Sequence, residues 1–198
     1  RDEGKVPKGK YVIKANTPSY IGSHVIGFAN MVKGIAEGFA KKGPKENHIN
    51  IIPGFVEPSD MAEVKKIARS MGIDAIVFPD TDGVLNGPQT GHFEMYPKGG
   101  TTIENLQRIG SSKITLALGP IASGPGAKFL DTSVGVPCEL LKLPIGLRAT
   151  DEFVSVLRHI GGTVSDELEL ERGQLVDVLT DMQQYFHQKK VALVGDPD

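Results

Sequence analysis

The side chains able to do metal, redox or hydrolytic chemistry are few in this 198-residue sequence: one cysteine, Cys138, and five histidines, His24, His48, His92, His159 and His187. A single thiol excludes an internal disulfide framework and any CxxC metal knuckle. The histidines show no HxxxH or HxxE spacing, so they read as scattered structural or surface residues rather than a self-contained metal site. Three polar constellations remain. Asp80-Thr81-Asp82-Gly83 follows a strand-like run and opens like a calcium loop, but the third acidic position and the closing Glu are missing, so a turn with two solvated carboxylates is the better account. Asp177 and Asp181 are four apart on a helical pattern, hence on one face, where two carboxylates repel unless a cation or Arg sits between them. A shared cation and a plainly exposed pair both satisfy that spacing, and exposed pairs are commoner. Finally, Thr17-Pro18-Ser19-Tyr20-Ile21-Gly22-Ser23-His24 brings hydroxyls, a fixed φ and a glycine to a strand-to-helix junction. Either Ser23 or Gly22 starts the helix there, or a hydroxyl faces a ligand at the helix's positive end. The spacing leaves both readings open.

Glycine patterns argue against a nucleotide. There is no GxGxxG or Walker A motif, and Val194-Gly195-Asp196-Pro197-Asp198 puts a proline and two carboxylates where a pyrophosphate needs bare amides. The formal charge of -2 and pI near 6.2 lack the basic excess that a nucleic-acid backbone requires. No apolar run approaches the ~20 residues of a spanning helix, and no signal peptide opens the chain, so neither nucleic acid nor a membrane is expected as a partner and a cytoplasmic location is.

The elements that must position these residues alternate. Short β-branched runs at 11–14, 49–52, 75–78, 114–118, 140–143 and 191–194 read as strands, each ending in Pro, Gly or Asp turn residues. Helical periodicity fills most gaps, at 23–42, 59–70 (capped by Ser59 or Asp60), 102–109, 122–130, 151–160 and 167–187, with Gly72 and Gly161 where C-caps belong. That alternation is an α/β pattern, a three-layer parallel sheet flanked by helices, Rossmann-like without the glycine fingerprint. Residues 80–100, rich in Gly, Pro and Asp, interrupt it as a long loop, either functional or packed on a neighbour. The sequence opens at Arg1 and closes on a strand-like run. It is therefore expected to be a piece of a longer chain, with residues 1–188 as one α/β domain and residues 189–198 as the first strand of a following one.

Several ordered motifs then become recognisable. Ala15-Asn16-Thr17-Pro18-Ser19-Tyr20-Ile21-Gly22-Ser23-His24-Val25 with Gly27-Phe28-Ala29-Asn30-Met31 resembles the segment of the nitrogenase component 1 β subunit that approaches the P-cluster. Asn50-Ile51-Ile52-Pro53-Gly54-Phe55, then Glu171-Arg172-Gly173-Gln174-Leu175-Val176-Asp177, then Gly195-Asp196-Pro197-Asp198 look like landmarks of the same family, in the same order. The stretch from Phe78 to Gly91, with Met95-Tyr96-Pro97-Lys98-Gly99-Gly100, looks closer to the vanadium and iron-only types than to the molybdenum type.

The resemblance implies a set of roles. Ser19 corresponds to the serine whose side chain ligates an iron of the [8Fe-7S] P-cluster when that cluster is oxidised. Asp177 and Asp181 match an acidic pair that helps bind a divalent cation between two β subunits. The implied partners are the nitrogenase α subunit, a second β subunit, a small δ subunit if the type is an alternative one, and the nitrogenase iron protein. The implied activity is reduction of dinitrogen to ammonia, with β relaying electrons through the P-cluster. The cluster's cysteine ligands in the family lie upstream of Arg1, and Cys138 does not match them, so the chain alone is expected to be inactive. The rival expectation is a non-catalytic relative, such as a scaffold for assembly of the iron-sulfur cofactor. A tetrapyrrole reductase shares the architecture but offers no matching motif.

Overall fold

The structure is a computed structural model that describes residues 6, 7, 9–195 and 198. Four short parallel strands build its sheet: β1 (Ile49–Ile52), β2 (Ala75–Val77), β3 (Thr115–Leu118) and β4 (Cys138–Leu141), in the spatial order β2-β1-β3-β4. The ladders pair Ile51 with Val77 on one side of β1 and with Leu116 on the other, and Leu118 with Leu141 at the far edge. All four residues of β1 and of β3 are buried, as strands covered on both faces must be.

Among the described residues there are six helices: α1 (His24–Phe39), α2 (Pro58–Ser70), α3 (Ile103–Arg108), α4 (Pro120–Phe129), α5 (Gly146–Ile160) and α6 (Asp166–Phe186). Two buried clusters define the layers. On one face Val32 and Ala36 of α1, Leu106 of α3 and Ala127 of α4 meet Ile52, Ile76 and Ala117. On the other, Val64 and Ile67 of α2 and Phe153 and Leu157 of α5 meet Ile51, Val77 and Leu116. Phe153 and Leu157 are fully buried, and each such side chain contributes about 1.5–3 kcal/mol. The three-layer parallel sheet read from the sequence is therefore the observed architecture.

Local differences from the sequence reading have identifiable causes. The run at 11–14 forms no strand. It lies across α1 instead, where Gly34 and Gly38 open a groove: a Cβ on Gly34 would stand 2.7 Å from the Lys14 carbonyl oxygen, and one on Gly38 would collide with Ile13. The Tyr11 and Phe39 rings meet at 5.3 Å, and the Gln107 amide donates to the Tyr11 hydroxyl. β4 is Cys138–Leu141 rather than 140–143, because β3 ends at Leu118 and the last rung is Gly119 N–H donating to Leu141 C=O. Residues 191–194 form no strand among the described residues; Val191, Leu193 and Val194 are 74%, 94% and 100% exposed. α2 begins one residue earlier than expected, with Glu57 as N-cap, Pro58 at its first position and Asp60 closing the capping box. α5 starts at Gly146, five residues ahead of the expected start, after the Leu143-Pro144-Ile145 turn.

Candidate functional site at the carboxyl edge of the sheet

In this topology the helix after β1 lies on one face and the helix after its neighbour β3 on the other. Open α/β sheets bind ligands in the crevice where the order reverses in this way, beyond the carboxyl ends of the strands. Here that crevice is walled by Pro53-Gly54-Phe55 after β1 and Gly119-Pro120 after β3. Gly54 adopts φ +89, and a Cβ there would stand 2.9 Å from the Leu118 carbonyl oxygen, so the two loops touch backbone to backbone. That turn delivers Phe55, which packs edge-on against His24 and Phe28 of α1, each ring centroid at 5.1 Å. The amino end of α1 is thereby fastened to the crevice.

Ser19 lies in the turn that feeds α1, exposed, beside the fully exposed Tyr20, which adopts φ 62. The N-cap is Ser23, extended as a cap should be, although its side chain makes no capping hydrogen bond. The first turn of α1 contains no acidic residue. The helix itself therefore brings no carboxylate to offset its positive end, which follows the turn carrying Ser19 in sequence.

The Asp80 turn is not solvated as expected. Lys65 of α2 inserts its ammonium between the two carboxylates, 2.7 Å from Asp80 Oδ2 and 2.9 Å from Asp82 Oδ2. The Asp80 side chain is only 8% exposed. Burial pulls the Lys65 pKa down, and the hydrogen bonds to Asp80 and Asp82 more than offset it, leaving the group above its ordinary value. The Asn86 amide and then Lys65 hold the Asp82 carboxyl below the usual carboxylate range. A lysine ammonium thus sits between the two carboxylates expected to be solvated, and the 80–100 loop starts from that clamp. The loop's far end is tied in by Thr101, whose hydroxyl donates to Val77 C=O and accepts from Asp80 N–H.

Asp177 and Asp181 are both exposed, one turn apart on α6. No residue of α6 is buried, and Val178, Met182, Tyr185 and Phe186 present 44–67% of their surface. Ion pairs hold its first half to the domain: Lys66 with Glu171, and Arg172 with Asp151 at 2.8 Å.

The histidines stay apart. His48 is buried at the amino edge of β1, with Nε2 3.3 Å from the Arg108 carbonyl oxygen, and His159 binds Ser155 C=O within its own helix. Among the described residues no group of three His, Cys, Asp or Glu is placed to hold a metal ion. Burial, followed by the neighbouring Asp131, pushes the Cys138 thiol up, away from the thiolate that metal binding requires. The donors present therefore do not fit an iron-sulfur cluster by themselves: Ser19 offers one oxygen, and thiolates must come from elsewhere. No described helix is long and apolar enough to cross a membrane.

Comparison with known proteins adds the following. The family model described as nitrogenase component 1 type oxidoreductase matches residues 2–198. Over 199 residues the chain is 54% identical to the nitrogenase molybdenum-iron protein beta chain of Clostridium pasteurianum, covering all of this chain and 43% of that one. It is 36% identical over 206 residues to the corresponding chain of Azotobacter vinelandii (100% and 39% covered), and 37% identical over 189 residues to the nitrogenase vanadium-iron protein beta chain of Trichormus variabilis (94% and 41% covered). The solved structure of nitrogenase Cp1 at pH 6.5 superposes with a TM-score of 0.96 at 54% identity, covering 99% of this chain and 43% of that one. The chain thus spans about two fifths of the length of the relatives it matches.

Proposed function

Because this chain belongs to the nitrogenase component 1 type oxidoreductase family, we propose that it is the middle α/β domain of a β chain whose parent complex reduces dinitrogen to ammonia. The observation that carries this reading is the correspondence over its full length, at 54% identity, with a nitrogenase beta chain. The 54% relative is a molybdenum-iron chain, and this reading takes that type for the parent complex.

In this reading the domain's contribution is positional. The turn before α1 presents the Ser19 hydroxyl, and the positive helix end behind it favours the deprotonated oxygen. A P-cluster bound between α and β chains would supply the electron relay, and Ser19 would offer it one oxygen ligand beside thiolates from elsewhere. Phe55 against His24 keeps the start of α1, and hence the Ser19 turn, registered on the sheet. Asp177 and Asp181, beside an uncovered apolar stripe on α6, suit a face shared with a second β chain, where a divalent cation would relieve their repulsion. Residues 189–198 lead into the following domain, in whose sheet 191–194 would find partners. The location is a reducing cytoplasm, with the α chain, a second β chain and the iron protein as partners, and a δ subunit only if the type is an alternative one.

The experiment that tests this is anaerobic co-expression of the full-length chain with its α partner, followed by iron analysis and a dinitrogen-reduction assay with the iron protein. An active, iron-loaded complex is expected, with the 198 residues alone inactive. An assembled complex that binds iron but never reduces dinitrogen overturns the catalytic reading and makes the chain an assembly scaffold.

A further inference from the structure

Helix α4 begins without a cap of its own. Its N-cap is Gly119, at φ 76 and without a side chain, and Pro120 at the first position has no N–H. The first hydroxyl in the helix, on Ser123, turns inward, 2.6 Å from Leu118 C=O and 3.2 Å from Ile52 C=O. The amides of Ile121 and Ala122 are left needing an acceptor from outside the helix. They find one far along the chain: Ile121 N–H donates to Asp198 Oδ1 at 2.9 Å across 77 residues, and Ala122 N–H to Oδ2 at 2.7 Å across 76. Two oxygens of one anion on two successive amides is the way a helix start holds a phosphate or carboxylate ligand. The place is the switch-point crevice between β1 and β3, where a sheet of this topology takes its ligand. Gly119 makes the room, since a Cβ there would stand 3.1 Å from Asp198 Oδ2.

We infer that Asp198 is a built-in anionic ligand of α4: its carboxylate fills the anion seat at the switch point and straps the chain beyond α6 onto the carboxyl edge of the sheet. The described residues between α6 and Asp198 are exposed and unpaired with the sheet, so the strap is held at its end. The strap reaches further than α4. Gly126 of α4 packs against Val32 of α1, where a Cβ would stand 3.0 Å from Val32 Cγ1, so the strap, α4 and α1 form one mechanical unit. Asp198, one of the carboxylates that argue against nucleotide binding, is the group that takes the anion's place at α4.

Amide hydrogen exchange of the full-length chain in its complex, read by mass spectrometry on peptides covering 119–124, tests this in wild type, Asp198→Asn and Asp198→Ala. Exchange of that peptide should accelerate about tenfold in Asp198→Ala and by a smaller factor in Asp198→Asn, which keeps the shape and one acceptor, with α5 peptides unchanged. Inorganic phosphate should leave the wild-type rate as it is. Unchanged exchange in both variants, or a wild-type peptide that phosphate protects, would overturn the inference, the first by showing no cap and the second by showing an open seat. The Asn variant keeps the test available if the Ala variant fails to fold, and neither arm depends on catalysis.

Discussion

The Lys65 ammonium sits 2.7 Å from Asp80 Oδ2 although 15 residues separate them, joining the outer face of α2 to the loop that leaves β2. The pair is partly enclosed, and Asp80 is the more buried partner. Removing the cation therefore leaves a desolvated carboxylate rather than a free one. Lys65→Met should lower stability by about 1–3 kcal/mol in a denaturant titration, and Asp80→Asn in the same background should recover part of that loss. Calcium added to the wild-type protein should not shift its melting temperature, because the lysine already fills the position between the carboxylates.

The same clamp sets a pH response. Asp82 titrates below its ordinary value of 3.8 in the folded chain. A depressed carboxylate contributes stability that is fully present above the unfolded pKa and is lost as pH falls through the folded one. The 80–100 loop should hold at neutral pH and loosen below about pH 4, seen as faster proteolysis within the loop. Asp82→Asn should flatten that dependence, and an unchanged pH profile would contradict it.

Asn50 in β1 carries a wholly buried polar cluster. Its amide donates to Ile109 C=O at 2.8 Å and to the Thr115 hydroxyl at 3.1 Å, and it accepts from the Ser112 hydroxyl at 2.6 Å. Asn50→Ala strands three buried polar groups and should cost about 2–3 kcal/mol in chemical denaturation. Asn50→Asp should cost at least as much, because it buries a carboxylate beside a carbonyl oxygen.

Gly38 lies directly under Ile13, so Gly38→Ala should lift residues 11–15 off α1 and cost about 1–3 kcal/mol, with Ile13→Ala relieving much of it in a double-mutant cycle. Additive losses would mean that the segment does not use the groove.

These contacts also mark how far the sequence could be read. β1 and β3 were legible because continuous apolar runs bounded by turn residues have few other uses, and α2 because its charged face alternates with Met61, Val64, Ile67 and Ala68. The run at 11–14 misled because its alternation suits a helix groove as well as a sheet edge, and only Gly34 and Gly38, four apart in α1, hinted at the groove. The register of β4 depended on where its neighbour β3 stops, which its own residues do not encode. Within the candidate site, Lys65 was missed because no local rule ties it to the Asp80 turn across the intervening helix end and strand. The seat for Asp198 did leave a signal, Gly119-Pro120 opening a helix with no capping side chain. Spacing singled out Asp177 and Asp181 but left a shared cation and an exposed pair both open, and the role of Ser19 came from resemblance; the fold places the two aspartates together on one face of α6.

The most direct measurement of the central claim is the EPR spectrum of the oxidised complex, made anaerobically from the full-length chain and its α partner, in wild type and in Ser19→Ala. A normal iron content in both, with an oxidised-state signal altered by the substitution, is the predicted result and puts the Ser19 oxygen on the cluster. Identical oxidised-state spectra from two equally iron-loaded complexes would contradict it.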